Sequence, residues 1–142
     1  MIKKNLKKII VLGSCMFCLI SASLTCHASD DDIGFLFKLR SNYANTYSSS
    51  RYRKTKSYDN PWKVNMTYNE EGDGCIATYW LAKYNVDNTR CSGTYDVTQG
   101  SGPHYYVAWE SAKQSDVVLG AENNNDTFSS YTVSGSWDEE TW

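Results

Sequence analysis

Histidine is scarce in this chain of 142 residues, which contains only two, and the motifs of common hydrolases are absent. No H-E-x-x-H metal pattern, no G-x-S-x-G nucleophile turn and no phosphate-cradling glycine loop occurs. Ser101 is predicted to lie in a turn with no partner base near it, and His104 is assigned no role. The sequence therefore predicts a protein without catalytic residues or a metal site. A small hydrolase stays open as an alternative, because paired carboxylates are brought together in space.

An apolar run long enough to span a membrane is also missing. Residues 9–24 form a run of about 16 residues, whereas a spanning helix needs roughly 20. Lysines precede this run and the chain turns polar after Ala28, which is the layout of a secretory signal peptide. We predict a signal peptide over residues 1–28, cleaved after Ala28, and a single secreted domain over residues 29–142.

Three alternatives to this cleavage stay open. The chain offers a second cleavage position after Ala22, and residues 9–24 would otherwise serve as an uncleaved anchor. The sequence LGSC, which ends at Cys15, also matches the pattern of a lipoprotein whose cysteine carries a lipid. The predicted location is extracellular, with no transmembrane segment after cleavage, and a membrane-anchored lipoprotein is the minor alternative.

Removal of residues 1–28 leaves two cysteines and an excess of acidic residues. Ten basic residues remain against 16 acidic ones, a net charge of −6, which makes nucleic acid a poor partner for an exported chain. Cys75 and Cys91 are too few for a zinc site with one histidine. We predict that they form one disulfide, which would stabilise the fold by roughly 3 kcal/mol. Free thiols are the alternative in a host that exports few disulfides.

Signals for helices are nearly absent, whereas apolar and polar residues alternate in segment after segment. Alternation is the period of half-buried β-strands, and turn-forming residues separate the segments. With no crossover helices, about eight short strands indicate an all-β fold, either an antiparallel β-sandwich or a small barrel. The sets that share a face are Ile33, Phe35, Phe37, Leu39; Trp62, Val64, Met66, Tyr68; Ile76, Thr78, Trp80, Ala82, Tyr84; Ala77, Tyr79, Leu81; Tyr95, Val97; Tyr105, Val107, Trp109; Val117, Leu119; and Tyr131, Val133, Gly135, Trp137.

The tryptophans divide into two groups. Trp62, Trp80, Trp109 and Trp137 are in register with these faces and are predicted to lie in the core. Trp142 follows three acidic residues and a threonine. We expect it either to dock on the sheet or to be an exposed anchor for a partner.

Charge is unevenly distributed along the predicted domain. Residues 38–63 carry a net charge of +6 and residues 64–142 a net charge of −9. We expect the two parts to complement each other across the fold.

The most basic stretch, RYRKTK, begins with Arg51, Tyr52 and Arg53. Guanidinium groups pair with phosphates, and tyrosine rings suit sugar faces. The stretch is therefore a candidate binding surface for a wall polymer, a glycan or a protein. The alternative is an edge strand whose charges prevent pairing with other sheets.

Residues 69–74 have the sequence NEEGDG, which is similar to the first half of a calcium-binding loop. The twelfth position, however, is Trp80 where a bidentate glutamate belongs. The segment is predicted to be a hairpin turn. No cofactor is expected; calcium is possible, but the sequence does not indicate it.

Six stretches occur in a characteristic order: RYR at 51–53, PWKVN at 61–65, EGDG at 71–74, YWLA at 79–82, LGAENNN at 119–125 and YTVSGSWDEET at 131–141. Together they resemble a family of small secreted proteins of Gram-positive bacteria that carries only a domain-of-unknown-function label. The resemblance covers essentially the whole predicted domain and implies export and a compact fold. A looser resemblance is to the lactococcin-type bacteriocins, which are also exported, β-rich and aromatic.

These observations predict a secreted, monomeric, non-enzymatic protein that acts at or outside the cell envelope. Its most direct function is as a binding module for a wall polymer, a glycan or a protein. A bacteriocin-like secreted antagonist is the alternative.

Overall fold

A computed structural model describes residues 31–126 and 128–142, so the predicted signal peptide lies outside the described residues. The described part contains nine β-strands and one 3-10 helical turn, Glu110–Ala112. It contains no helix long and apolar enough to cross a membrane. The strands are β1 (Ile33–Leu39), β2 (Thr46–Tyr47), β3 (Arg51–Arg53), β4 (Trp62–Asn69), β5 (Ile76–Lys83), β6 (Tyr95–Thr98), β7 (His104–Tyr106), β8 (Ser115–Asn123) and β9 (Tyr131–Asp138).

The strands form two antiparallel sheets, which confirms the β-sandwich and shows that the small-barrel alternative is wrong. The first sheet has the order β1-β9-β4-β7, and the second has the order β2-β8-β5-β6. The short strand β3 also pairs with β8, beyond the end of β2. Residues 48–50 therefore interrupt what would otherwise be one continuous edge strand of the second sheet.

The core lies between the two sheets and is built from the alternating residues. Phe35, Phe37 and Leu39 of β1 are buried on its inner side, as their spacing predicts. Aromatic rings fill one end, where Tyr95 and Tyr106 stack with their ring centroids 3.8 Å apart and both rings contact Trp62. Such burial of large rings is the main stabilising contribution in a domain of this size.

The predicted inner face of β7 is wrong by one residue. Tyr106 packs against the core, whereas Tyr105 is exposed and Trp109 is 51% exposed. Strand β7 ends at Tyr106, so the alternation does not continue to Trp109. A shift of one residue in a strand moves every side chain to the opposite face.

Trp80 is buried on the outer face of the second sheet instead of in the main core. Its ring lies directly over Gly120 of the neighbouring strand β8, where a Cβ atom would come within 2.8 Å of the ring atom Cζ2. Tyr47 contacts the ring edge-on at 6.1 Å, and the Arg90 guanidinium lies 4.8 Å from its centroid. A small second cluster therefore covers this face and fixes the position of β2.

The predicted Cys75–Cys91 disulfide is wrong, since both thiols are free. Cys75 immediately precedes β5, whereas the N–H of Cys91 donates to the carbonyl of Leu81 near the other end of β5. A strand rises about 3.3 Å per residue, so positions 75 and 81 are roughly 20 Å apart. Disulfides require Cα atoms within about 7 Å.

Alkylation is expected to distinguish the two thiols. Cys75 is partly exposed, whereas Cys91 is buried, and burial raises the pKa of the Cys91 thiol to about 11. Iodoacetamide at pH near 8 should label Cys75 in the folded protein and both thiols in urea, because the thiolate is the reactive form. Peptide mass spectrometry reads both sites, and equal labelling of the folded protein at the two sites would contradict the structure.

Candidate functional site

A groove of about 680 Å³ opens between the edge strand β1 and residues 45–51. Binding pockets for small ligands typically have volumes of roughly 300–1,000 Å³. One wall is β1 from Ile33 to Lys38, and the opposite wall is the interrupted edge formed by β2 and the start of β3. The groove exists because these two edges belong to different sheets and do not pair along residues 33–37.

The backbone of β1 presents hydrogen-bonding groups to this groove. The carbonyl of Lys38 accepts a hydrogen bond from Thr46 Oγ1 at 3.3 Å, so it points away from β9. Strand β1 pairs with β9 without a register shift. Outward and inward groups alternate along an antiparallel strand, so the N–H and C=O groups of Gly34 and Leu36 also point away from β9 and towards the groove.

The side chains of the groove are basic and hydroxylated. Three basic residues, Lys38, Arg40 and Arg51, are among the lining residues, and no acidic residue is. Hydroxyl groups come from Thr46 and from the serines at positions 48–50. Apolar surface is also present, because Leu36 is 74% exposed. The groove therefore offers positive charge, polar groups and an apolar contact to a ligand.

Arg51 is held in the groove wall by the acidic segment that follows β9. Its Nε forms an ion pair with Glu139, and its Nη1 donates to the carbonyl of Asp31 at 2.9 Å. The guanidinium also lies 5.9 Å from the centroid of the Trp137 ring. Arg51 is thus among the residues that line the groove, as predicted for a binding residue, but its Nε and Nη1 already have partners inside the protein.

Arg53 is fully buried and connects two segments that are far apart in sequence. Its guanidinium donates to the backbone carbonyls of Glu139 and Asn60. Burial lowers the pKa of Arg53, while the carboxylate of Glu140 acts in the opposite direction. An external ligand cannot touch this side chain, so Arg53 supports the fold and does not line the groove.

Residues 138–142, which we call the acidic clasp, form hydrogen bonds with residues of the basic part of the chain, 38–63. Glu140 accepts the N–H groups of Lys54 at 3.1 Å and Thr55 at 2.7 Å. Asn60 Oδ1 accepts the N–H groups of Thr141 and Trp142. The expected complementarity of the basic and acidic parts of the chain is therefore confirmed in these contacts.

Asp138 is a carboxyl group of the clasp that is almost completely buried. Burial of its carboxyl raises the pKa of Asp138 to about 6, although the N–H of Glu140 donates to Oδ1 and opposes the change. An unfolded aspartate has a pKa of about 3.9. The protonated carboxyl therefore stabilises the folded state below pH of about 4, and this stabilisation is lost as pH rises through about 6.

Replacement of Asp138 by asparagine is expected to remove this pH dependence. The difference in thermal midpoint, variant minus native, should become more positive between pH 4 and pH 7, because the native carboxylate ionises in a buried position. Differential scanning calorimetry at several pH values measures it. Asp116→Asn at an exposed position is the control, and an identical profile for both variants would contradict the raised pKa.

The remaining predicted binding residues lie at the surface. Tyr52 is 48% exposed and pairs with Asp116 of β8, and Trp142 is 54% exposed. The backbone of Trp142 is held by Asn60, to which its carbonyl also binds. Neither side chain is among the residues that line the groove.

Ser101 and His104 are hydrogen-bonded, so the expectation that Ser101 has no partner base near it is wrong. Ser101 Oγ lies 2.7 Å from His104 Nε2 and 2.6 Å from the carbonyl of Thr98, to which it donates. A serine hydroxyl has one proton, so here the histidine must donate to the serine. An activating base would instead accept that proton, and the arrangement closes the turn before β7.

The segment 69–74 forms the turn between β4 and β5, as predicted. Asn69 Oδ1 accepts the N–H of Glu71, and Gly72 and Gly74 have φ values of +108° and +83°. Asp73 Oδ1 accepts a hydrogen bond from Gln99. Among the described residues, no group of three or more His, Cys, Asp or Glu side chains is placed to hold a metal ion.

The groove was not recognised from the sequence. Two features of the sequence relate to the groove. Leu36 is an apolar residue among the positions of β1 that face away from the core, and three consecutive serines occupy positions 48–50. Neither feature indicates that the two segments face each other. Only the pairing of β1 with β9 and of β2 with β8 brings them together.

Comparison with known proteins gives a family but no described function. The family model described as "Protein of unknown function (DUF2712)" matches residues 20–141. No curated protein and no solved structure matches the chain.

Proposed function

Because the chain belongs to the DUF2712 family, whose function is unknown, we propose a function from the groove: the protein is a non-enzymatic binding module that holds a partner between β1 and residues 45–51. The observation that carries the proposal is the size and composition of this groove. Rigid strands form its walls, and the acidic clasp fixes Arg51 beside it. A site built on strands keeps its binding groups in place before the partner arrives.

Export and action at or outside the envelope of a Gram-positive cell are part of this proposal. They rest on the sequence of residues 1–28, which has the layout of a signal peptide. The partner is then a wall polymer, a glycan or a protein that a monomer meets outside the cell.

The test is a binding assay that compares two serine-to-tryptophan variants. Ser49 is exposed and lines the groove, whereas Ser111 is exposed on the 3-10 turn outside it. Both variants and the native chain are incubated with bacterial cell walls, membranes and secreted proteins. We expect Ser49→Trp to reduce retention by about tenfold or more, as loss of a central contact does, and Ser111→Trp to leave it unchanged. Equal retention by both variants would overturn the groove as the binding site.

A secreted antagonist remains the second candidate because of the resemblance to lactococcin-type bacteriocins. Growth of related bacteria in the presence of the purified chain distinguishes the two candidates. Inhibition that Ser49→Trp abolishes would make the groove the site of antagonism, whereas normal growth would remove this candidate.

A further inference from the structure

We propose that the groove takes an extended, acidic segment of a partner protein, which adds as an antiparallel strand to the edge of β1 that none of the described strands pairs with. This inference rests on the proposed function and names the class of partner. Addition of a strand to an exposed sheet edge is a general mode of peptide recognition, in which the main chain provides affinity.

The spacing of the backbone groups favours a peptide over a wall polymer or a glycan. Gly34 and Leu36 each direct one N–H and one C=O group into the groove, as the outward carbonyl of Lys38 shows. Donors and acceptors therefore alternate with the two-residue period of a strand. A second strand has the same period and satisfies all of them at once. An anionic polymer supplies acceptors but not the matching row of donors.

The open part of β1 has room for such a strand. Thr46 of β2 bonds to the carbonyl of Lys38, near the end of β1, and the groove continues beside residues 33–37. At about 3.3 Å per residue, this length matches an added segment of roughly five residues.

The charge of the groove favours an acidic segment. Lys38 and Arg40 line the groove with no acidic side chain among the lining residues, whereas the charge of Arg51 is already paired with Glu139. Lys38 and Leu36 share the outer face of β1, because successive side chains alternate. Residues placed directly opposite Gly34 and Leu36 would project to that same face. Acidic side chains at these positions would then lie on the same face as Lys38.

Charge also argues against a second copy of this chain as the partner. The β1 edge of a second copy carries no acidic side chain between Ile33 and Leu39, so it cannot supply the acidic groups that would complement the basic lining of the groove. Natural edges are commonly protected by charges, proline or bulges. Strand β1 has none of these between Ile33 and Phe37, and it exposes Leu36 there.

The probe is the peptide TEVEVET, acetylated and amidated, with binding to the full chain measured by isothermal titration calorimetry. In the proposed arrangement, the glutamates lie opposite Gly34 and Leu36, so their N–H groups point to β1. N-methylation of the glutamates should weaken binding by about tenfold or more, because it removes these hydrogen bonds. N-methylation of the valines should change it by less than about threefold, because their N–H groups point away. The peptide TKVKVKT should bind more weakly than TEVEVET, and added salt should reduce the difference.

A variant pair tests the same contact from the side of the protein. The Leu36 N–H does not bond to β9, so Leu36→Pro removes a donor from the groove without breaking the sheet. It should weaken peptide binding by about tenfold, whereas Leu36→Ala, which keeps the N–H, should have a much smaller effect. Circular dichroism and the thermal midpoint establish that each variant is folded. If Leu36→Pro does not fold, the two N-methylated peptides alone decide the question.

Three results would overturn the inference. They are equal binding of both N-methylated peptides, binding of TKVKVKT as tight as that of TEVEVET, and no binding of TEVEVET at millimolar concentration. A dimer of the native chain that Leu36→Pro dissociates would assign the edge to a second copy instead. If Ser49→Trp abolishes retention by cell walls while TEVEVET neither binds nor competes, the groove function stands and the peptide inference fails.

Discussion

Replacement of Gly135 by alanine is expected to lower the free energy of unfolding by about 3 kcal/mol or more, as severe overpacking of a core does. Gly135 lies in β9, the strand between β1 and β4. A Cβ atom at this position would overlap the backbone carbonyl of Asn65 and lie 3.0 Å from Met66 Cα. Backbone atoms of a neighbouring strand cannot move without breaking the ladder. Urea denaturation measures the change.

Gly34→Ala is the matched control for Gly135→Ala. Gly34 lies in the adjacent strand β1, where a Cβ atom would meet only the Gly135 carbonyl at 3.8 Å, an ordinary contact. This variant should be within about 1 kcal/mol of the native protein. Similar stability of the two variants would show that β4 and β9 do not approach as closely as the structure has them.

Replacement of Arg53 by methionine should cost about 3–5 kcal/mol, the range for breaking a buried charge interaction by removing one partner. The guanidinium is fully buried and donates to the carbonyls of Asn60 and Glu139. Without it, these groups and the nearby carboxylates of the acidic clasp lose their positive partner in a site that water does not reach. The same urea titration measures the loss.

Arg40→Met is the control for Arg53→Met, because Arg40 is exposed and donates a hydrogen bond to the carbonyl of Asn45 near the surface. Its replacement should change stability by less than about 0.5 kcal/mol. If Arg53→Met lowered the free energy of unfolding as little as Arg40→Met, this would contradict the burial of Arg53 and its contribution to stability.

The strands and their inner faces could be predicted from the sequence because alternation is a local property. Phe35, Phe37 and Leu39 are buried as their spacing indicates, and β5 is buried on both faces. The prediction is wrong at β7, because alternation over a three-residue edge strand is too short to indicate which side chains face the core. Trp109 was therefore assigned to the core although it is exposed.

Contacts between distant segments could not be predicted with the same detail. The charge distribution indicated that the basic and acidic parts meet, but not that Arg53 is buried beneath the clasp while Arg51 reaches the groove. The presence of two cysteines in a domain predicted to be exported favoured a disulfide, and only the register shows that they flank opposite ends of β5. Register, and not composition, decides both questions.

The position of β9 has a consequence for how the protein is made. Strand β9 is last along the described chain, yet it lies in the interior of the first sheet, and Ile33 pairs with Trp137. Until residue 138 has left the ribosome, the strand that lies between β1 and β4 is incomplete, although β4 can already pair with β7. The first sheet therefore cannot be completed until the end of β9 has been made, as expected for a fold dominated by non-local pairing. A chain threaded amino end first through a narrow conducting channel would pass through it before the sandwich closes.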